Sequence, residues 1–156
     1  PLASLLPHPA ALRSRMRLIH YPALKDRYIE GGVRSSAHED INLITLLPAA
    51  TDAGLQLLDR DGTWRAVDGL EGEIVVDAGD MLSRHLNLKI PSTTHRVVNP
   101  DDPEAVRYSM PFFCHPRPEV VLDCPEALLE PGEVRRFAPI TAHAFLMQRL
   151  REIGLM

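Results

Sequence analysis

Cysteine is scarce: Cys114 and Cys124 are the only two in 156 residues, and a ten-residue separation fits no zinc-ligand spacing. They are expected to be reduced thiols of a cytoplasmic protein rather than a disulfide framework. No apolar run approaches the roughly 20 residues that cross a bilayer, and no basic-then-apolar segment opens the chain. Positive charge is also short: the formal net charge is -4, and the densest basic spot, Arg13 to Arg17, holds three arginines. A nucleic-acid surface needs clustered Lys and Arg, so this balance argues against one. Internal repeats and low-complexity stretches are absent. So is an initiator Met, since the chain opens on Pro1. It is therefore read as a piece of a longer protein.

What is present suits one globular domain that buries roughly two-thirds of its unfolded surface. Hydrophobic residues make up 45% and charged residues 24%, ordinary for a soluble chain. Fourteen prolines and nine glycines cut it into short segments. "MRLIHYP" (16–22) and "INLITLLP" (41–48) read as strands stopped by proline. The intervening "YPALKDRYIEGGVRSSA" reads as a loop. "GLQLLDRDGTWRAVDG" carries Asp61-Gly62 between two strand-like runs, the signature of a tight hairpin. "GEIVVDAGD" adds a strand and a Gly79-Asp80 turn, and 80–88 a short helix. "STTHRVVNP", "VRYSMPFFCHP" and "EVVLDC" complete the strands. Near the end, Ala142, Phe145, Leu146, Leu150 and Ile153 form one helical stripe behind Thr141 as N-cap, a docking surface. Seven or eight short strands and a late helix predict a mainly β jelly roll or sandwich.

The chemistry begins at "AHEDIN". Seven histidines and 21 acids in 156 residues give about one His-x-acid triplet by chance, so His38-Glu39-Asp40 alone proves nothing. On a strand, however, residues i and i+2 share a face, which lets His38 and Asp40 converge while Glu39 points away. Two histidines and one carboxylate make a facial triad for a divalent metal, with positions left open for substrate and oxygen. His8, His20, His85, His95, His115 and His143 compete for the third place. His95 is favoured because it sits mid-strand in "STTHRVV". Twelve residues on, Arg107 and Ser109 share a strand face and form a fork for a carboxylate. Arg34-Ser35-Ser36 has the same spelling, but it reads as loop. Phe112 and Phe113 straddle their strand, so at most one lines a cavity, and Trp64 beside the hairpin reads as packing.

Together, "HEDINLITLLPA…GLQLLDRDGTWRAVDGLEGEIVVDAGDMLSRHLN…STTHRVVNP…RYSMPFFCHP" resembles the non-haem iron, 2-oxoglutarate-dependent oxygenases related to isopenicillin N synthase. The likeness runs over about residues 14–118, and "ITAHAFLMQRLREIGL" resembles that family's closing helix. His-x-Asp, a distant His and Arg-x-Ser occur here in the family's order.

The resemblance implies a double-stranded β-helix (jelly roll) with a C-terminal α-helix, organised as segment 1–13, a jelly-roll core 14–118 and an extension 119–156. It implies that His38, Asp40 and His95 bind Fe(II), and that Arg107 and Ser109 hold the distal carboxylate of 2-oxoglutarate. Tyr21, in "HYP", matches a tyrosine that contacts the co-substrate. The implied reaction uses O₂, releases succinate and CO₂, and hydroxylates, desaturates or cyclises a small molecule. Ile19 stands where the family commonly has Asn, and Asn87-Leu88 where it usually has Asn-Gly. The family's long N-terminal half has no counterpart here. Its absence motivates a rival reading, a catalytically inactive jelly-roll binding module, and an expectation that the open surface invites self-association. A cupin-type metal isomerase would have no use for the Arg107 fork.

Overall fold

A computed structural model describes residues 14–25, 29–67 and 72–156. Segment 1–13, His8 included, lies outside the described residues. Among the described residues, twelve strands and two α-helices follow in chain order. The strands are β1 (Arg15–Met16), β2 (Ile19–Tyr21), β3 (Ser35–His38), β4 (Ile44–Pro48), β5 (Leu55–Leu58) and β6 (Trp64–Ala66). After them come β7 (Ile74–Ala78), β8 (His95–Val97), β9 (Arg107–Ser109), β10 (Phe112–Cys114), β11 (Val121–Leu122) and β12 (Ile140–Thr141). Helix α1 spans Asp80–His85 and α2 spans Ala142–Glu152.

Two four-stranded antiparallel sheets form the barrel walls, in the orders β1-β10-β4-β7 and β3-β8-β5-β6. The short β2-β9 pair continues the first wall, and β11-β12 lies apart. Alternation assigns each strand's faces. Thr45 and Leu47 of β4, Val75 and Asp77 of β7, and Phe113 of β10 line an internal cavity. Ile74 and Val76 of β7 face outward and are exposed.

The hairpin at Asp61-Gly62 is formed as expected, with β5 and β6 paired from Leu58↔Trp64 to Gln56↔Ala66 and Gly62 at φ +82°. Several expectations are corrected. Ser35–His38 is a strand, not loop: its small polar residues carry little β signal, but β8 supplies its ladder through Ser35↔Val97 and His38↔His95. "MRLIHYP" and "VRYSMPFFC" each divide in two, the second at Met110-Pro111, because proline cannot donate to a ladder. "INLITLLP" is strand only from Ile44. The stripe on α2 is shorter than read, since Ile153 is the C-cap and exposed.

The apolar core sits beneath α2, outside the barrel interior. Leu43, Met81, Leu122, Ala142 and Phe145 are buried together. Full burial of Met81 or Leu122 is worth roughly 1.5–3 kcal/mol each. Thr141 caps α2 by accepting from the Ala144 amide, and Arg149 of α2 reaches Asp80 at 3.0 Å. The closing helix is thereby tied to the Gly79-Asp80 turn, immediately behind the residues discussed next.

Candidate metal and co-substrate site

His38 and His95 are Cα partners in the β3–β8 ladder, with ring centroids 4.3 Å apart. Each ring places its Nδ1 against a backbone carbonyl two residues upstream: His38 on Ser36 at 2.7 Å, His95 on Thr93 at 3.1 Å. Donation from Nδ1–H fixes the tautomer and leaves both Nε2 atoms free as ligands. Those atoms lie 3.9 and 4.0 Å from Asp40 Oδ1. One ligand atom from each of the three residues falls within 4.8 Å of the others, a separation that one divalent ion can bridge.

Asp40 reaches this point by a route that the sequence does not spell out. β3 ends at His38, so the shared-face argument for a strand fails at Asp40. Asp40 lies in the irregular stretch after the strand, where its carbonyl accepts from the Asp80 amide at 2.8 Å. Its Oδ2 accepts from the Thr45 hydroxyl, which in turn accepts from Asn42 Nδ2 at 2.8 Å. Asn42 is 1% exposed and sits against Gly79. A Cβ at Gly79 would collide with the Asn42 carbonyl oxygen, so only glycine fits there. Sequence reasoning missed Asn42 and Thr45. The signal for Thr45 was a hydroxyl on the inward face of an otherwise apolar strand.

The three ligands line one side of a cavity of about 150 Å³. Tyr21, Arg107, Ser109 and Phe113 line it as well, Phe113 being the one phenylalanine of its pair to do so. Arg107 and Ser109 are buried on one face of β9, while Tyr108 between them is exposed. Tyr21 is the ladder partner of Arg107, whose guanidinium carbon lies 5.2 Å from the Tyr21 ring centre. Arg107 Nε donates to the Asp52 carbonyl at 3.0 Å, while the buried Nη1 has no hydrogen-bond partner among the described residues. Burial pushes the pKa of Arg107 below its usual value; Tyr21 and Asp52 counter this and Arg34 adds to it.

Asp77 faces His95 Nδ1 at 3.6 Å from β7. Its pKa is raised to about 6, first by burial, with the Asp40 charge adding to the shift and His95 opposing it. The other described histidines stand elsewhere. His85 is buried in α1, His143 is on α2, His115 follows β10, and His20 stacks on Tyr108 at 4.8 Å. Trp64 packs under the Arg96 guanidinium at 4.0 Å, as its reading anticipated.

The profile of the 2OG-Fe(II) oxygenase superfamily matches residues 13–116. The chain belongs to that superfamily. Among its relatives, a 2-oxoglutarate-Fe(II) type oxidoreductase of Aspergillus fumigatus is 35% identical over 137 residues, covering 87% of this chain and 40% of the relative. A crystal structure assigned to the 2OG-Fe(II) oxygenase family, from Caulobacter crescentus, superposes with a TM-score of 0.81 at 42% identity, covering 90% of this chain and 46% of the other. A full-length Neurospora crassa protein, solved in complex with alpha-KG and thymine, gives a TM-score of 0.83 at 32% identity, over 96% of this chain and 46% of the other. The fold is thus the jelly roll of these oxygenases. The chain spans less than half the length of each of these three. The superfamily's cofactors are Fe(II), 2-oxoglutarate and O₂, and the two-histidine, one-carboxylate donor set found here suits Fe(II).

Proposed function

We propose that this chain carries the iron and co-substrate centre of a 2-oxoglutarate-dependent oxygenase that oxidises a small molecule by hydroxylation, desaturation or cyclisation. One observation carries the reading: His38, Asp40 and His95 converge beside a cavity that also contains Arg107 and Ser109. Fe(II) held there, with 2-oxoglutarate and O₂, would supply the oxidising power, with 2-oxoglutarate converted to succinate and CO₂. The chain's own groups bind and orient. His38, Asp40 and His95 would hold the metal beside the cavity that would receive the co-substrate. Arg107 and Ser109 receive its distal carboxylate: the guanidinium supplies charge and an unpaired Nη1 donor, and the serine supplies a hydroxyl. Tyr21 packs on the guanidinium and fixes its plane. Walls such as Leu47, Leu55, Val75 and Val97 keep water away from the reacting centre. The Neurospora crassa relative solved with alpha-KG and thymine supports a small molecule as the substrate class.

The test is release of CO₂ from labelled 2-oxoglutarate by purified chain with Fe(II) and ascorbate. Slow uncoupled release is expected without primary substrate, and Arg107→Ala should raise the 2-oxoglutarate requirement at least tenfold, the loss of a buried charged hydrogen bond. Metal binding with no turnover would count against the proposal.

A further inference from the structure

Arg34 precedes β3 and has no place in the site as described, yet its side chain is 2% exposed. Its Nη2 donates to the Ala105 carbonyl at 2.5 Å, while Nε and Nη1 are buried with no hydrogen-bond partner among the described residues. Among the described residues the acid beside it is Asp52, 3.7 Å from Nη1, too far for a hydrogen bond. The guanidinium carbon lies 5.8 Å from the centre of the Tyr21 ring, the same ring on which Arg107 packs. Asp52 also serves both arginines: its carboxylate faces Arg34 and its carbonyl accepts from Arg107.

Two buried guanidiniums therefore share one tyrosine and one aspartate. Among the described residues one carboxylate, Asp52, faces these two charges, and three of their nitrogens have no hydrogen-bond partner. Isolated buried cations are costly, so such an arrangement persists where an anion is due to arrive. Arg107 faces the cavity, whereas Arg34 touches the groups that hold Arg107. We propose that Arg34 is a positioning residue for the co-substrate's distal carboxylate. It fixes Tyr21 and Asp52, and through them the Arg107 fork, and it adds a second positive charge to the carboxylate end of the cavity. This rests on the reading of Arg107 given above.

The experiment compares two ligands of the Fe(II)-loaded chain under anaerobic conditions: 2-oxoglutarate, and 2-oxopentanoate, which has a methyl in place of the distal carboxylate. Calorimetric Kd values for both give a preference ratio that general destabilisation does not move. Arg34→Gln and Arg34→Met are each measured. The methionine variant guards against misfolding, because replacing a buried ion by a well-packed apolar chain is often neutral or stabilising. The expected result is a ratio reduced about tenfold or more in either variant that retains wild-type Fe(II) affinity, with 2-oxopentanoate binding within twofold of wild type. A wild-type ratio that survives in the variants overturns the role of Arg34 alone. A wild-type protein with no preference for 2-oxoglutarate overturns the Arg107 reading, and this inference with it.

Discussion

The Thr45 hydroxyl donates to the carboxylate of Asp40 from the inward face of β4, and Asn42 donates to Thr45 in turn. This relay fixes the one charged ligand of the triad, which has no strand backbone to orient it. Removing the hydroxyl leaves Asp40 Oδ2 and Asn42 Nδ2 short of a partner. Thr45→Val should weaken Fe(II) binding about tenfold or more, the usual effect of losing a group that orients a metal ligand. Thr45→Ser should preserve it. Metal titrations of the two variants decide the matter.

Leu88 holds a left-handed backbone at φ +68°, directly after Asn87 at φ +55°. The pair ends α1, with the Leu88 amide donating to the Ser83 carbonyl at 2.9 Å. A branched residue in this region costs roughly 1–2 kcal/mol, offset in part by the greater unfolded-state freedom of glycine. Leu88 is 46% exposed, so little burial is at stake. Leu88→Gly should stabilise the fold by about 0.5–1 kcal/mol in denaturant unfolding. Asn87→Gly should do the opposite, because the Asn87 side chain donates to Glu133 and Val134 and accepts from the Arg136 amide.

Glu133 has its pKa lowered to about 2 by the Glu130 amide first, then by Lys89 and Asn87. A depressed carboxylate contributes stability that is present above its unfolded value of 4.5 and is lost as pH falls from there toward 2. Wild type should melt above Glu133→Gln at pH 6, and the difference in Tm should vanish near pH 2. A difference that grows on acidification would contradict the assignment.

Much of this site was legible because its chemistry depends on residue type and order: a histidine and an acid two apart, a later histidine on a strand, and an Arg-x-Ser fork. Other parts were not. Ser35–His38 has no β-branched or aromatic residue and becomes a strand only through its ladder with β8. Asp40 meets His38 and His95 by another route than the one read from the sequence, since it lies past the end of β3, anchored by the Asp80 amide, and not on strand alternation. Gly79-Asp80 read as a turn and nothing more, although Gly79 makes room for Asn42. Arg34 was set aside as loop because sequence separation hides its meeting with Tyr21 and Asp52.

Met16, Phe112, Leu46 and Val76 stand in register across the outer face of the first wall. Met16 and Val76 are each 63% exposed. An apolar row of this kind favours association. Sedimentation should show concentration-dependent self-association of the chain, reduced by Val76→Lys, which leaves the cavity-facing side of β7 untouched.

The most direct measurement is metal stoichiometry. Anaerobic calorimetric titration with Fe(II) should give one ion per chain for wild type and no specific binding for His38→Ala, Asp40→Ala or His95→Ala, each with a wild-type circular dichroism spectrum. Tight one-to-one binding that persists in all three variants would place the metal elsewhere and contradict the account.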